Sequence, residues 1–412
     1  MEIPLWKKCY KKNFKYFNKR KFIILIMLDI KISVIGLGYI GLPFSMILAK
    51  SGFKVNGYDV DNKKLKKLKS KKYLFEEKNL NNLIKNQKVL KNLSFTNKLK
   101  LANLYILCLP TPLNKKNNCD YQYIHKALKE ISKVIKDKDK IILESTVEIG
   151  FTDKIKKILE IKKKKLKIDI YYVSEKAIPG NTLYEMIYSD RIIGSNIGNK
   201  EFISKLYKSF VKGNIFITNN KEAEATKLIE NTYRDFNIGL ATNLSQILKE
   251  KNVDYKKVFN LSNRHPRVNI LSPSFGVGGH CIPIDPYFLE NKKSGLISKI
   301  RKINNDYIDV ISKKINLFIK NNESKKICFW GFGYKLNTND TRESPPLKIY
   351  NKVRKSNCFA SDFNKSLKIR NFLKSNSALK KCDLHLIFNL NDSCINRKFK
   401  NKKFVKALDL IN

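Results

Sequence analysis

The chain has 412 residues, of which 42% are hydrophobic and 29% are charged, and its formal net charge at pH 7 is +47. That length is enough for two or three domains, each with a core of its own. The large positive charge invites a nucleic-acid partner. However, only ten of the 83 basic residues are arginine, and lysine is spread through every segment. Dispersed lysine is typical of solvated surfaces, so we expect no specific binding of nucleic acid.

The chain has eight cysteines and four histidines. Both residue types are common metal ligands, and cysteine also forms disulfides. No C-x-x-C or H-x-x-x-H spacing occurs among them, which argues against a zinc site. The absence of paired cysteine spacing also indicates reduced thiols. We therefore expect a cytoplasmic protein without a bound metal.

Residues 1–28 form a lysine-rich and aromatic extension ahead of the first strand. Their apolar run, residues 22–28, is too short to span a bilayer, so no stable membrane insertion is expected. Met27 stands just before the first strand and is an alternative start of translation. The extension is then not translated at all, or else it is an anchor on a membrane surface; the sequence leaves both interpretations open.

The first clear pattern is that of a dinucleotide-binding unit. A compact apolar strand runs into Gly36-Leu-Gly38-Tyr-Ile-Gly41, an apolar helix follows, and a second strand ends at Asp59. The glycines permit a tight turn and let a pyrophosphate approach the helix N-terminus, while the acid binds the ribose hydroxyls. An acid at this place also favours NAD over NADP. We expect a Rossmann domain that binds NAD.

Polar residues follow three further strands of buried type. They are Pro110-Thr111-Pro112 after residues 104–109, Glu144-Ser145-Thr146 after residues 140–143, and Ser174-Glu175-Lys176 after residues 168–173. Ligands of parallel doubly wound sheets bind at the carboxyl ends of the strands, which makes these side chains candidates for a site. A helix cap is the alternative role for each of them.

The longest helical pattern covers residues 221–251. An apolar stripe runs along it, and a second, polar stripe contains Glu224, Lys227, Asn231 and Arg234 at helical spacing. A solvated face is the plain alternative for that polar stripe. A helix of this length between two α/β regions also suits a connector between domains and the interface of a homodimer or a higher homo-oligomer.

The segment Phe275-Gly-Val-Gly-Gly-His-Cys-Ile-Pro-Ile-Asp-Pro-Tyr287 combines a glycine-rich turn with a cysteine. Its glycines allow positive φ and a close approach to a ligand. Asp285-Pro286 is typical of an N-cap and first helical residue, and a thiol just ahead of a helix N-terminus is favoured as thiolate. A small buried cysteine in a turn is the alternative for Cys281.

The last region, from about residue 304, begins with a helix and continues with a strand, residues 326–330, that ends in Gly331-Phe-Gly333. Further short strands at 358–360 and 384–388 indicate a second, smaller Rossmann-like domain. The sequence thus predicts an α/β protein with two Rossmann-like, doubly wound domains joined by a long central helix. The expected division is an extension at 1–28, an NAD-binding domain at 29–215, a central helical domain with the cysteine loop at 216–303, and a C-terminal domain at 304–412.

Taken together, these segments resemble the UDP-glucose/UDP-N-acetylmannosamine dehydrogenase family over nearly the whole chain. The motifs occur in family order: Gly-Leu-Gly-Tyr-Ile-Gly-Leu-Pro at 36–43, Leu-Pro-Thr-Pro at 109–112, Glu-Ser-Thr-Val at 144–147, Asp-Arg-Ile-Ile-Gly at 190–194, the helical segment 222–235, the glycine–cysteine loop, and Asp-Thr-Arg-Glu-Ser-Pro at 340–345. Residues 263–270 ahead of that loop look most like the branch that acts on UDP-N-acetyl-D-mannosamine. UDP-N-acetylglucosamine and UDP-glucose are the alternative substrates. A non-catalytic dinucleotide-binding protein is a remote alternative, which the joint presence of the reacting residues disfavours.

The resemblance implies an NAD-dependent, four-electron oxidation of a UDP-sugar at C6, for the synthesis of surface polysaccharide. Cys281 matches the family's nucleophile, Lys227 its oxyanion-stabilising lysine, Asn231 its water-positioning asparagine and Asp285 its general acid/base. The remaining matches imply roles beside these. The cofactor contacts are Gly36, Gly38, Tyr39, Ile40, Gly41, Asp59, Lys64, Thr111, Thr146 and Arg342; Thr146 and Glu175 order water or assist proton transfer; and the substrate contacts are Glu175, Lys227, Asn231, Arg234, Arg267, Gly278 and Lys335.

Three short segments depart from the family pattern. Ser174-Glu175-Lys176 stands where Pro-Glu-Arg is usual, Glu148 replaces a proline, and Pro273-Ser-Phe-Gly276 replaces Pro-Gly-Pro-Gly. These changes concern local geometry, since the reacting groups themselves are all present. A thiolate suits the chemistry, because it can add to an aldehyde and give a thiohemiacetal, then a thioester that water hydrolyses.

Overall fold

A computed structural model describes residues 29–70, 79–160, 166–177, 180–196, 198–290, 295–336, 338, 340–363, 367 and 369–411. The predicted extension, residues 1–28, lies outside the described residues. The chain divides into two compact units, Met1–Lys227 and Leu228–Asn412. None of the helices in the described ranges is both long and apolar enough to cross a membrane.

The first unit is built on an eight-stranded sheet. In chain order its strands are β1 (Lys31–Ile35), β2 (Lys54–Tyr58), β3 (Leu93–Thr96), β4 (Leu104–Leu107), β5 (Lys140–Leu143), β6 (Asp169–Tyr172), β7 (Arg191–Gly194) and β8 (Ile215–Thr218). Their spatial order is β3-β2-β1-β4-β5-β6-β7-β8. All four residues of β4 are buried, as expected for a central strand covered on both faces.

Helices cover this sheet and connect its strands. They are α1 (Gly41–Lys50), α2 (Asn62–Lys69), α3 (Leu80–Ile84), α4 (Gln87–Asn92), α5 (Gln122–Ile131), α6 (Phe151–Glu160), α7 (Thr182–Tyr188) and α8 (Lys200–Lys208). Helix α1 is buried from Gly41 to Ala49, which agrees with its almost wholly apolar sequence. Helix α5 alternates buried and exposed positions with helical periodicity, as an outer helix does.

One pair of strands departs from a purely parallel sheet. β6 and β7 run antiparallel and are joined at a single residue pair, Tyr172 and Gly194, whereas β7 and β8 are parallel again. The connection from β6 to β7 covers residues 173–190 and contains the short helix α7. The predicted fold class is confirmed, with this reversal as an addition to it.

Helix α9 (Asn220–Glu250) has 31 residues, and the prediction of a helix over 221–251 agrees with it to within one residue at each end. The division between the two compact units falls within this helix, between Lys227 and Leu228. The long central helix of the predicted architecture is therefore confirmed.

The second unit contains a four-stranded parallel sheet. Its strands are β9 (Ile327–Trp330), β10 (Cys358–Ser361), β11 (Leu384–Ile387) and β12 (Phe404–Lys406), in the spatial order β10-β9-β11-β12. The helices are α10 (Tyr255–Ser262), α11 (Asp285–Leu289), α12 (Leu296–Lys320), α13 (Pro345–Val353), α14 (Ser375–Lys381), α15 (Asp392–Lys398) and α16 (Ala407–Ile411). Two apolar clusters, one around Phe329 and one around Trp330, fill the two faces of this sheet.

The expected domain boundaries can be placed on these elements. The boundary at 215/216 lies within β8, and the boundary at 303/304 lies within α12, which begins eight residues earlier, at Leu296. A helix that starts at 296 was not apparent from the sequence, because residues 291–296 carry no capping signal strong enough to mark its start. The division into domains stays a prediction.

Candidate active site

The glycine turn after β1 is shaped by the packing of its own backbone. Gly36 has φ +93°, and a Cβ at Gly41 would lie 1.9 Å from the carbonyl oxygen of Gly36. A Cβ at Gly36 would lie 2.4 Å from the carbonyl oxygen of Cys108. At Gly38, by contrast, no atom lies within 4 Å of the place a Cβ would take. The outer glycines are needed by the fold, and the space above the middle one is open to a ligand.

Asp59, directly after β2, is buried and organises the end of that strand. Its Oδ2 accepts hydrogen bonds from the backbone N–H of Leu37 at 2.8 Å and from Nζ of Lys64 at 2.7 Å, and its Oδ1 accepts one from the N–H of Asp61 at 3.0 Å. The acid is thereby held beside the glycine turn. An open glycine at the start of α1 and a carboxylate fixed next to it fit the pyrophosphate and the ribose of NAD.

The other predicted cofactor residues of this unit lie on the same edge of the sheet. Tyr39 and Ile40 occupy the turn itself, and Ile40 immediately precedes α1. Thr111, after β4, donates from Oγ1 to the carbonyl oxygen of Thr146, after β5, at 2.8 Å. This bond joins two of the three polar segments that follow the strands, as their common position at the carboxyl ends predicts.

Glu175 and Lys227 meet in the first unit. The Lys227 ammonium, on α9, donates to the carbonyl oxygen of Glu175 at 2.8 Å, and Lys227 is only 7% exposed. The Glu175 carboxylate is fixed separately: its Oε1 accepts from the N–H groups of Lys176 and Ala177 and from Nη1 of Arg191, all between 2.7 and 2.9 Å. A buried lysine ammonium that is held by a carbonyl is well placed to face a developing oxyanion.

A second carboxyl lies in the same buried cluster. Glu144, after β5, accepts a short hydrogen bond from the hydroxyl of Tyr207 on α8. Burial raises the pKa of Glu144 to about 8, the negative charge of Glu175 adds to the rise, and Arg191 and Lys227 oppose it. Glu144 is therefore protonated at neutral pH. The sequence offered two roles for Glu144, a site residue or a helix cap, and neither implied that its buried carboxyl would be protonated.

In the second unit, Asn231 and Asp285 form a buried pair. Nδ2 of Asn231, on α9, donates to Oδ2 of Asp285 at 2.6 Å, and both side chains are at most 5% exposed. Asp285 is the first residue of α11 and not its N-cap, which is Ile284, a residue without a capping side chain. The N-cap prediction for Asp285 was wrong by one position, and its carboxylate accepts a hydrogen bond from the amide of Asn231, 54 positions away in the chain.

The cysteine loop places the exposed Cys281 four residues before Asp285, one member of this pair. Cys281 is exposed, and its carbonyl oxygen accepts from the N–H groups of Ile284 and Asp285 at 2.9 and 2.8 Å, so the turn leads directly into α11. None of the seven described cysteines forms a disulfide. The alternative of a buried filler does not hold for Cys281, and its exposure suits a nucleophile.

The glycines of this loop bring it against the segment after β9. A Cβ at Gly278 would lie 2.6 Å from Cδ of Pro345 and 2.9 Å from the carbonyl oxygen of Glu343, and the N–H of Gly279 donates to the carbonyl of Arg342 at 3.1 Å. Gly279 has φ +92° and packs on the ring of Tyr334. The two motifs thus form one surface, although the contacting residues are more than sixty positions apart in the chain.

The remaining predicted residues have the following places. Arg234 is exposed on α9, Lys335 lies 5.7 Å from the ring centroid of Tyr334, and Arg342 forms an ion pair with Asp340 at 2.5 Å. Arg267 is exposed after α10, and in the described part of the chain its side chain makes no hydrogen bond or ion pair. The structure brings Arg342 to the cysteine loop, of which Gly278 is a part, and the roles of all these residues stay predictions.

Comparison with known proteins decides the family. The NAD binding domain of the UDP-glucose/GDP-mannose dehydrogenase family matches residues 30–211, and the central domain of the same family matches residues 221–306. The chain belongs to this family. It is an NAD-dependent nucleotide-sugar dehydrogenase, and the predictions of family, enzyme class and cofactor are confirmed.

Individual family members are similar over most of their length. A UDP-N-acetyl-D-mannosamine dehydrogenase of Methanocaldococcus jannaschii is 40% identical over 329 residues, which are 78% of this chain and 76% of that protein. One of Campylobacter jejuni is 35% identical over 345 residues, 79% of this chain and 84% of that protein. The solved UDP-N-acetyl-mannosamine dehydrogenase of Staphylococcus aureus has a TM-score of 0.79 at 31% identity, covering 93% of this chain and all of its own.

Four residues that contact the candidate site of this dehydrogenase escaped the sequence reasoning. Arg191, Tyr207 and Tyr334 received no role, and Glu144 was considered only as one of several polar residues after strands. The scarcity of arginine was a usable signal for Arg191, since half of the ten arginines in the chain lie within the motif segments. Tyr207 carried no signal, because an apolar-facing tyrosine on an amphipathic helix is ordinary core. Among the described residues, no group of His, Cys, Asp and Glu could hold a metal ion.

Proposed function

We propose that the chain oxidises UDP-N-acetyl-D-mannosamine at C6 to UDP-N-acetyl-D-mannosaminuronate, in two successive NAD-dependent steps through an adduct on Cys281. The observation that carries this proposal is the exposed Cys281 thiol at the start of a turn whose Asp285 is paired with Asn231. The names of the relatives at 35–40% identity support the choice of sugar. UDP-N-acetylglucosamine and UDP-glucose remain the alternative substrates.

The first oxidation needs a proton acceptor and a charge partner for the alkoxide. Asp285 takes the proton of the C6 hydroxyl through a water that Asn231 positions, and the Lys227 ammonium stabilises the alkoxide. NAD, when bound, would supply the hydride acceptor, with one NAD molecule reduced to NADH in each oxidation. Thr146 and Glu175 order water near the reacting carbon. The product of this step is the C6 aldehyde.

The second oxidation needs a nucleophile, because hydride leaves readily only from a carbon that bears an oxyanion. An aldehyde carbon gains that oxyanion only when a nucleophile adds to it. The Cys281 thiolate adds to that carbon, the carbonyl electron pair moves to oxygen, and a thiohemiacetal forms. Loss of hydride gives a thioester on Cys281. Water then attacks the thioester carbon, the C–S bond breaks, and the uronic acid leaves while the thiolate is regenerated.

Replacement of Cys281 separates the two oxidations. Cys281→Ala should bind cofactor and substrate yet release at most one NADH per sugar, since only the second step needs the thiol. Cys281→Ser should trap an ester or hemiacetal and turn over extremely slowly, whereas Lys227→Ala should slow both steps. The measurement is NADH counted per UDP-sugar, with mass spectrometry for the aldehyde or the serine adduct. Two NADH per sugar at a near-normal rate from Cys281→Ala would exclude the covalent route.

The same assay decides between the sugars. NADH release is measured in parallel with UDP-N-acetyl-D-mannosamine, UDP-N-acetylglucosamine and UDP-glucose, and the first should give the highest kcat/KM. A higher value for either alternative would overturn the proposed substrate and leave the proposed mechanism intact. In the proposed division of labour, the C-terminal domain binds the UDP-sugar through Lys335. Arg267 of the central domain also contacts the sugar nucleotide, and Arg342 contacts the cofactor.

We also propose that the protein is a homodimer joined through α9. Four large apolar side chains on that helix are exposed: Ile229, Tyr233, Leu240 and Ile247, at 55%, 68%, 49% and 40%. At 100° per residue they fall within about 40° of one another, so they form one stripe that a second copy would cover. Sedimentation should show Tyr233→Lys with Leu240→Lys as a monomer. Cytosolic location and a role in surface polysaccharide synthesis complete the proposal, and gene deletion should remove the uronic acid from the surface glycan.

A further inference from the structure

The Glu175 carboxylate is held more firmly than a group that exchanges protons with a substrate needs to be. Its Oε1 accepts three hydrogen bonds, two from backbone N–H groups and one from Nη1 of Arg191 at 2.7 Å. The Arg191 side chain is 2% exposed and that of Glu175 is 8% exposed. Oε1 is thus fully occupied by fixed donors. The ion pair anchors the chain segment after β6.

Arg191 is itself fixed at two points. While Nη1 binds Glu175, Nη2 donates to the carbonyl oxygen of Met186 on α7 at 2.7 Å. The guanidinium therefore ties the end of α7, the start of β7 and the segment after β6 into one unit. A lysine could not do this, because a single ammonium cannot reproduce the planar fork of two donors.

The anchored segment is also the one that holds the proposed oxyanion-stabilising group. The carbonyl oxygen of Glu175 accepts the hydrogen bond from Nζ of Lys227 at 2.8 Å. A guanidinium, a carboxylate and an ammonium thus stand in sequence: Arg191 fixes the side chain of Glu175, and the backbone of Glu175 fixes the ammonium of Lys227. All three belong to the first compact unit.

We propose that Arg191 is a positioning residue for the reaction, which sets the place of the Lys227 ammonium through Glu175. The proposal rests on the proposed function, in which Lys227 stabilises the oxyanion of both oxidations. It assigns to Arg191 no contact with substrate or cofactor. Its effect is on the position of another group, so Lys227 must be present for Arg191 to matter.

That dependence distinguishes positioning from a purely structural ion pair. We expect Arg191→Lys to lower kcat about tenfold to 100-fold, the cost of misplacing a reacting group by about 1 Å. In a Lys227→Ala background, the same substitution should lower the residual kcat less than about twofold, because the group it positions is gone. A purely structural role would give the same fold-change in both backgrounds. Single-turnover NADH formation at high enzyme concentration makes the slow variants measurable.

A second buried arginine provides the matched control. Arg301 is also 2% exposed, and it pairs with Asp235 at 2.5 Å in the second compact unit. Arg301→Lys should change kcat by the same factor with and without Lys227. The affinity for NAD, measured by calorimetry, should stay within about threefold of the unmodified chain in Arg191→Lys, since the glycine turn and Asp59 are untouched.

The results for the Lys227 and Arg191 variants test the two proposed roles separately. If Lys227→Ala alone keeps the full kcat, the proposed role of Lys227 is wrong and the role of Arg191 falls with it. If Lys227→Ala is slow but the effect of Arg191→Lys is the same in both backgrounds, only the positioning role is wrong. Arg191→Gln is the second variant. If both Arg191 variants lose NAD binding, Arg191 serves the folding of the first unit, and the proposal is overturned.

Discussion

The two sheets of the molecule each begin with a strand that ends in Gly-x-Gly, and the two turns are used differently. Gly36 and Gly331, the first residue of each turn, both have positive φ, +93° and +82°. At the next glycine the likeness ends. Gly38 has open space where a Cβ would be, whereas a Cβ at Gly333 would lie 2.0 Å from the carbonyl oxygen of Thr338.

The position of the following helix explains this difference. In the first unit α1 starts at Gly41, directly after the turn, so its N-terminal N–H groups stand beside the open glycine. In the second unit α13 starts only at Pro345, and the chain between fills the space above Gly333 while it presents Tyr334, Lys335 and Arg342. The first turn offers backbone to an anion, and the second offers side chains. A strand followed by Gly-x-Gly therefore indicates a Rossmann turn without indicating what it binds.

The largest effect should come from a methyl group at the third glycine of the first turn. Gly41→Ala places Cβ 1.9 Å from the backbone of Gly36, and neither side can yield without moving β1 or α1. We expect a loss of about 3 kcal/mol or more in the free energy of unfolding and no measurable NAD binding. Thermal unfolding and calorimetric titration with NAD measure the two effects.

Gly38→Ala is the matched control for that substitution. Its Cβ meets no protein atom, so the unfolding midpoint should stay within a few degrees of the unmodified chain, while NAD affinity should fall about tenfold or more. If Gly38→Ala unfolded as readily as Gly41→Ala, the contrast between the open and the packed glycine would be wrong.

A methyl group on the second turn should weaken the binding of the UDP-sugar. Gly333→Ala forces Cβ against the carbonyl of Thr338 at 2.0 Å and should displace Tyr334 and Lys335. We expect KM for the UDP-sugar to rise about tenfold or more, with NAD affinity unchanged. Leu336→Ala, at a side chain that is 52% exposed, is the control and should leave both constants nearly unaltered. Weakened NAD binding in Gly333→Ala would show that the two turns are not separate in function.

A smaller effect is expected in the pH dependence of stability, which should differ between the two units. The pKa of Glu144 in the first unit is raised to about 8, first by burial, so the unfolded chain binds fewer protons than the folded one between about pH 4.5 and about pH 8. The free energy of unfolding should therefore fall as pH rises through that window. In the second unit, burial lowers the pKa of His385 to about 4, and Lys402 adds to this. Its contribution is lost in the opposite direction, as pH falls from about 6.5 to about 4.

Glu144→Gln tests that assignment, because the amide has no proton to lose. The neighbours of Glu144 are Tyr207 on α8, Arg191 on β7, Glu175 after β6 and Lys227 on α9. Urea unfolding at several pH values should give a smaller loss of stability between about pH 5 and about pH 8 in the variant than in the unmodified chain. Parallel curves for the two proteins would mean that Glu144 is already ionised in the folded state.

The sequence predicted the parts of the fold that are local in the chain. The turn from Gly36 to Gly41 and Asp59 were recognisable because strand, turn, helix and acid follow one another within thirty residues. Helix α9 was predicted to within one residue because its periodicity extends over more than eight turns. The reversal of β7 could not be predicted, since an isolated strand of four residues carries no signal of its direction.

The candidate site could be proposed from the sequence as a set of residues, which stays a prediction, and not as a set of contacts. Lys227 and Asn231 were identified by resemblance, but their hydrogen-bond partners lie 52 and 54 positions away in the chain. Neither periodicity nor spacing specifies a partner at such distances. Arg191 was hidden for the same reason: its partner Glu175 is in another loop, and only the packing of α7 and β7 brings the two together.

The buried guanidinium of Arg191 has a consequence for which mutations the gene can accept. An arginine codon of the AGA or AGG type becomes a lysine codon by a single G-to-A change, and only ten of the 83 basic residues in this chain are arginine. A buried arginine that pairs with a carboxylate in such a chain marks a position where an ammonium would fail. Arg191 and Arg301, each buried to 2% and each paired with a carboxylate, are two such positions. In lineages with the same bias, the few surviving arginines of a single sequence carry information that otherwise requires many sequences.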